Sequence, residues 1–539
     1  MGSRWLLPAI LAFSVAALGG LWYTASHPPR IREPAAAGVY IEGTAGAPSR
    51  VNPLFAPLNA VDTDLASLVF SGLTRLGPKG DVLPGLAESW DISANNKTYT
   101  FHLRRGVTWH DGHPFTADDV VFTVGLLQDP EYRGPSFLAD LFRSVSVEKL
   151  DDSTVDITLA QPFAPFLAYA SIGLLPEHLL KGLSAEDLYN APFNQQPVGT
   201  GPFRLLEMTK ERAVLESVPG HYLGEPAIGH LEMRFFLNEP RLLLALREGE
   251  IDGAFFRSPL SIEDKLYLQN EKRWQVHDLT STTYTILYLN NSSPLFADER
   301  VRQALALAID KEKIIANFLD GQAVRADSPI PAGTWAYYPA LERYDFDVFE
   351  ASRLLDEAGW QLNIFGIREK AGQAMEFDLV TNEERSRIAI AEELARSWAI
   401  LGVKATVRTQ KATVLLRETL MPRNFNAAIY GFDAGLDPDP YPTWHSTQIG
   451  GEKGNLAGFV DAQADEVLED GRLTDDPTRR SALYRVFQEI FARNVPSVPL
   501  FHNTYTYVTD DRFRPAEAPV LFDSGSRFSA ILGLPASGR

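Results

Sequence analysis

The stretch Leu86–Val120, LAESWDISANNKTYTFHLRRGVTWHDGHPFTADDV, constrains the fold of this chain more than any other. Tyr99, Phe101 and Leu103 alternate with Thr100, His102 and Arg104, which predicts a strand with one apolar face. Asp111-Gly112 then predicts a tight turn. Thr116 stands ahead of Ala117-Asp118-Asp119 and an apolar run. A hydroxyl cap followed by two carboxylates suits the positive end of a helix dipole. Nothing in the block has the arrangement of a catalytic site. It reads as a core unit, and Trp109, His110 and Asp111 are expected to stay out of any ligand site.

Four other segments stand out in the order Val51-Asn52-Pro53-Leu54, Pro197–Phe203 (PVGTGPF), Phe296–Leu305 (FADERVRQAL) and Pro496–Leu500 (PSVPL). A fifth, Gly431–Trp444 (GFDAGLDPDPYPTW), is rich in carboxylates and aromatics. Together with the Leu86–Val120 block, these resemble the large extracytoplasmic solute-binding proteins of bacterial ABC importers, family 5, whose members handle peptides, nickel, haem and some sugars. The motifs span nearly the whole chain, from about Val39 to Val508. The resemblance implies an α/β fold of two lobes, periplasmic-binding-protein-like, of type II and cluster C. Residues 38–80 begin lobe one, 81–198 form an extra subdomain inserted in it and away from the ligand, and 199–288 continue it. Residues 289–499 form lobe two, and 500–539 return to lobe one, with the crossings near Tyr288 and Leu500 acting as a hinge.

The second lobe is also legible from its periodicity. A helix is expected over Arg300–Leu319, with Val301, Leu305, Ala308, Ile309 and Ile315 on its apolar side. Another is expected over Phe349–Glu357, ended by Gly359. Phe377–Val380, Glu384–Ile400, Gly402 and Val403–Thr409 read as strand, amphipathic helix, C-terminal glycine and strand, a βαβ unit. Asp461–Glu469 and Arg479–Ala492 are further helices. Gly199 to Leu289 reads as strand-rich, with one helix near Glu239–Arg247.

Composition excludes several chemistries. The formal net charge is −19, so a nucleic acid partner is not expected, because nothing would neutralise its phosphates. The chain has no cysteine. Disulfides, thiolate metal sites and cysteine nucleophiles are therefore out, as is the lipid-modified cysteine that anchors many members of the resembled family. Trp5–Tyr23 is an uncharged 19-residue run, close to what a hydrocarbon core of ~30 Å requires. Arg4 before it and Trp22 and Tyr23 at its end favour an uncleaved membrane anchor. A cleaved signal peptide is the alternative. His27–Ala37, rich in proline and alanine, reads as a tether.

No GxxxxGK[ST] loop or GxSxG elbow is present, and Gly199-Thr200-Gly201 runs into Pro202-Phe203, unlike a dinucleotide fingerprint. No catalytic residue, metal site or cofactor is expected. His110 and His113 sit on a turn beside the structural block and read as structural. Asn424–Gly451 is the segment that reads as a binding loop: five aromatics, three aspartates and no Lys or Arg between Phe425 and Trp444. Aromatics and carboxylates held by prolines suit a ligand with cationic and apolar parts. Against this stands a plain surface loop with Asp-Pro turns. The resemblance makes this the ligand loop, and Phe432, Asp433, Asp437 and Trp444 are the expected contacts. Tyr284, on the alternating strand Thr282–Tyr288, and Asn52 are further candidates. Peptide binders of the family commonly carry an aspartate three residues before the Asp-Pro-Asp triplet, where it meets the peptide's amino group. Here that position is Ala434, and Asp433 lies one residue earlier.

The expected function is a monomeric, extracytoplasmic receptor that captures a small solute, a peptide first of all, and delivers it to an ABC permease. An oligosaccharide or a metal chelate is the alternative ligand. A secreted hydrolase or a sensor on the same scaffold are alternatives of another class, and the absence of a nucleophile–base motif speaks against the first.

Overall fold

The computed structural model describes residues 39–513 and 519–531. Trp5–Tyr23 and the tether lie outside the described residues. Among the described residues no helix is long and apolar enough to cross a membrane.

One mixed sheet of eleven strands is the spine of both lobes. Its order begins in lobe two with Lys404–Gln410, Glu376–Asn382 and Ala427–Asp433. It continues through Trp274–Leu289 and Ser497–Asp510, then into lobe one with Gly253–Phe256, Val39–Ala45, His230–Phe236, Arg212–Ser217 and Phe203–Met208. The two long central strands run antiparallel. Their pairing breaks between Thr280 and Tyr284, where Thr280 faces Thr504 and Tyr284 faces His502. The break is where the chain changes cores. Leu279 packs with the lobe-one core, Tyr284 with one core of lobe two, Phe501 with another, and Tyr507 with lobe one again.

The Leu86–Val120 block nucleates a separate four-stranded antiparallel sheet, in the order Ala87–Ile92, Thr98–Leu103, Thr154–Thr158 and Ser146–Asp151. Tyr99, Phe101 and Leu103 are buried on one face, as strict alternation demands. Thr116 caps the helix Ala117–Gln128 and Asp119 returns the bond to the Thr116 amide at 2.9 Å, a complete capping box. Asp119 also accepts from Trp109 Nε1 and from the Glu177 amide. His110 ties the block to PVGTGPF: its Nδ1 accepts from the Gly199 amide at 3.2 Å and its Nε2 donates to the Gly201 carbonyl at 3.0 Å. Burial pushes its pKa down to about 4, so the ring is neutral and serves as a structural clip.

Lobe two follows the expected βαβ unit. Glu376–Asn382 and Lys404–Gln410 pair in parallel around the helix Arg385–Ile400, and Gly402 takes a left-handed φ of 80° to turn the chain back. The expected single helix over Arg300–Leu319 is instead two, Glu299–Leu307 and Lys311–Phe318. Asp310 breaks it by accepting from the Lys313 amide at 2.9 Å, so an aspartate read as mid-helix is an N-cap. A helix over Ile262–Asn270 was not foreseen beside Glu239–Arg247. Only Leu268 of it is buried, which leaves little apolar periodicity to read.

Candidate ligand cleft

The strand Ala427–Asp433 carries the candidate site. It lies antiparallel to Trp274–Leu289, with Tyr284 opposite Phe432 and Thr283 opposite Asp433. Its parallel pairing with Glu376–Asn382 covers only Ala427 and Ala428. Beyond that the strands part, and Thr381 Oγ1 bridges to the Ile429 carbonyl at 3.2 Å. Carboxyl ends of diverging strands form a crevice, the usual ligand position in open α/β sheets.

Arg387, from the first turn of Arg385–Ile400, fills this crevice. Its Nη2 lies 2.9 Å from where a side chain at Gly431 would begin, so the guanidinium lies directly over the glycine. Its Cζ stands 5.7 Å from the Tyr430 ring centre, and Glu384 pairs with it at 3.3 Å. Gly431 and Asp433 face the same side of the strand, because side chains alternate. Gly431, against which the Arg387 guanidinium lies, and Asp433 are therefore two residues apart on one strand face. Asp433 is exposed. Its Oδ1 accepts from the Gly435 amide at 3.0 Å and from Thr282 Oγ1 at 3.4 Å, which leaves Oδ2 open. Phe432, half-buried, packs on Tyr284 with ring centres 5.2 Å apart.

The opposite wall comes from lobe one. Tyr169 Oη lies 3.6 Å from the position a Gly435 side chain would take. Burial and the carboxylates Asp437, Asp439 and Asp433 push its phenol up to about 12. Tyr169 thus reaches the aspartate-rich loop.

Two lobes on a shared sheet, two crossing strands and a crevice between them describe a capture device. The model of the bacterial extracellular solute-binding proteins, family 5, matches residues 81–454. The chain belongs to this family. Among its curated relatives, the oligopeptide-binding protein AppA of Bacillus subtilis is 28% identical and covers 92% of each chain. The dipeptide-binding protein of Escherichia coli is 28% identical over 79% of this chain and 81% of its own. Among solved structures, NikZ of Campylobacter jejuni in complex with Ni(L-His) aligns at 28% identity and a TM-score of 0.67, covering 92% of this chain and 99% of its own. The two-lobe, type II α/β fold is that of these neighbours. Family 5 proteins are extracytoplasmic binding proteins.

In this family 5 receptor only part of the expected set faces the crevice. Asp433 does, whereas Phe432 points to the other face of the strand and packs on Tyr284. Asp437 is buried and held by Arg480 through two bonds of 2.6 Å. Burial disfavours the charge on Arg480, yet the Asp437 carboxylate holds its guanidinium above the usual range. Trp444 is buried in a lobe-two core, edge-on to Phe491 at 4.7 Å. Tyr284 is buried and donates to the Pro329 carbonyl at 3.0 Å. Asn52 is buried and donates to Asn194 Oδ1 at 3.0 Å while its own Oδ1 holds the Leu54 amide. These four are taken up by the protein itself. The reason for Asp437 and Trp444 is that the loop turns inward after Leu436 and winds into the short helix Tyr441–Trp444, which packs against Ala462–Leu473. Arg387, Tyr430 and Tyr169 were missed. No motif marks them, although an arginine one turn into a helix that follows a parallel strand was a usable hint.

Proposed function

We propose that this chain captures a peptide between its lobes and hands it to the permease of an ABC importer. The carrying observation is an exposed carboxylate with one open oxygen, Asp433, at the end of a strand on whose Gly431 the Arg387 guanidinium lies. A peptide offers the complementary pair, an ammonium and a carboxylate, and a side-chain-tolerant backbone between. Oligopeptide-, dipeptide- and di/tripeptide-binding relatives over most of the chain support the reading. On this reading Tyr169 supplies an aromatic wall and Asp433 takes the role of the missing aspartate at Ala434. The receptor acts as a monomer, held at the outer face of the membrane by Trp5–Tyr23. Native mass spectrometry of protein purified without denaturation tests the ligand: co-purifying masses that fragment as peptides are expected, and a metal chelate or sugar as the sole bound mass would overturn it. N-terminal sequencing tests the anchor, which fails if the native chain starts near Gly38.

A further inference from the structure

We propose that the inserted segment carries a latch that holds the two lobes closed, built around Arg472. This rests on the two-lobe capture reading but not on the identity of the ligand.

Arg472 and Leu473 end the helix Ala462–Leu473 of lobe two. The Arg472 guanidinium lies between two rings from different lobes. Its Cζ is 5.0 Å from the centre of Phe163, in the inserted segment, and 4.2 Å from that of Tyr441, in the ligand loop. Its Nε donates to Asp439 Oδ2 at 2.7 Å. The last carbonyls of a helix lack partners within it. Here lobe one provides them: the Ala164 amide donates to the Arg472 carbonyl at 2.9 Å, and Asn96 Nδ2 donates to that of Leu473. Asn96 presents that amide from a left-handed turn, φ 53°, which asparagine tolerates better than most residues.

Three features make this a latch rather than a fixed weld. The lobe-one donors belong to the four-stranded sheet and its connections, apart from the long strands that join the lobes. Every group involved is polar or partly exposed, so water can replace each partner when the lobes part. The same arginine grips Asp439, six residues beyond Asp433, so the closure contact and the loop that leaves the crevice share one side chain. Stabilising the closed state raises apparent affinity for any ligand by one common factor, because only the competent fraction binds.

The chain has no cysteine, so Asp140→Cys and Gln463→Cys can carry spin labels on the two sides without background. Interlobe distances in the ligand-free, full-length protein are then measured with native latch residues, with Phe163→Ala and with Asn96→Asp. The aspartate keeps the left-handed turn but replaces the donor with an acceptor. Both variants should raise the ratio of long to short distances by about threefold or more, the weak end of a cation–π contact or a hydrogen bond. Circular dichroism of each variant confirms the fold. Distance distributions unchanged in both variants overturn the latch. Because no ligand is present, that result leaves the peptide reading standing, and a non-peptide ligand leaves the latch standing.

Discussion

Asp437→Asn separates a structural carboxylate from a ligand-binding one. The side chains of Asp437 and Arg480 are 4% and 7% exposed, and the two bonds between them are 2.6 Å each. Arg480 also reaches the Gly471 carbonyl and Tyr484 Oη, so it cannot swing out to water without breaking the helix packing around it. Asparagine retains one acceptor but leaves a buried cation uncompensated, which typically costs about 3–5 kcal/mol. In a body the size of lobe two, each kcal/mol corresponds to about 2–4 °C in melting temperature. The lobe-two transition should therefore fall by about 6–20 °C. Scanning calorimetry resolves it from lobe one if the two unfold separately, and Trp335, whose ring lies 5.2 Å from the Arg480 guanidinium carbon, gives a fluorescence signal local to the pair. Asp437→Leu combined with Arg480→Met should recover most of the loss, because an apolar pair leaves no stranded charge. A fall below about 2 °C for Asp437→Asn refutes the reasoning.

Asp433→Asn should melt like the wild type, since the amide oxygen still accepts from Gly435, and should lose about tenfold or more in affinity for the eluted native ligand by calorimetry. Gly199→Ala places a methyl 1.8 Å from the Val69 carbonyl oxygen. It should cost about 1–3 kcal/mol or more in urea unfolding. His502 is 1% exposed, and burial holds its pKa down to about 4. The unfolded imidazole protonates near pH 6.5 while the folded one stays neutral, so stability falls as pH drops from about 6.5 to about 4, by up to about 3 kcal/mol. His110 adds a loss of the same sign. His502→Asn should flatten this slope in part, measured as urea midpoints at pH 7 and pH 4.5.

Legibility followed the range of the forces involved. The capping box at Thr116 and Asp119, the alternation at Tyr99, Phe101 and Leu103, and the left-handed turn at Gly402 are all closed within a few residues, and the structure repeats them. Asp310 shows the limit of that rule: an apolar stripe from Val301 to Ile315 hides a cap, because periodicity does not register a side chain that bonds its own backbone. The ligand loop fails in a different way. Between Phe425 and Trp444 the sequence shows carboxylates and no cation, which reads as an anionic surface awaiting a ligand. The cations come from Arg472 and Arg480, 33 and 43 residues beyond Asp439 and Asp437, on the two following helices. Two of the three aspartates are thereby neutralised inside the fold. Asp433 escapes because it ends a strand at the crevice, before the loop turns inward, where its neighbours are a glycine amide and a threonine hydroxyl. Arg387 was hidden for the mirror-image reason. It stands between Glu384 and Glu392 on an ordinary amphipathic helix, and only the parting of two parallel strands, Leu379 beside Ala427 and far apart in sequence, makes its place a site. Chemistry that depends on such a partnership is set by sheet topology, so charge counted along the chain overstates how much of it is free to bind.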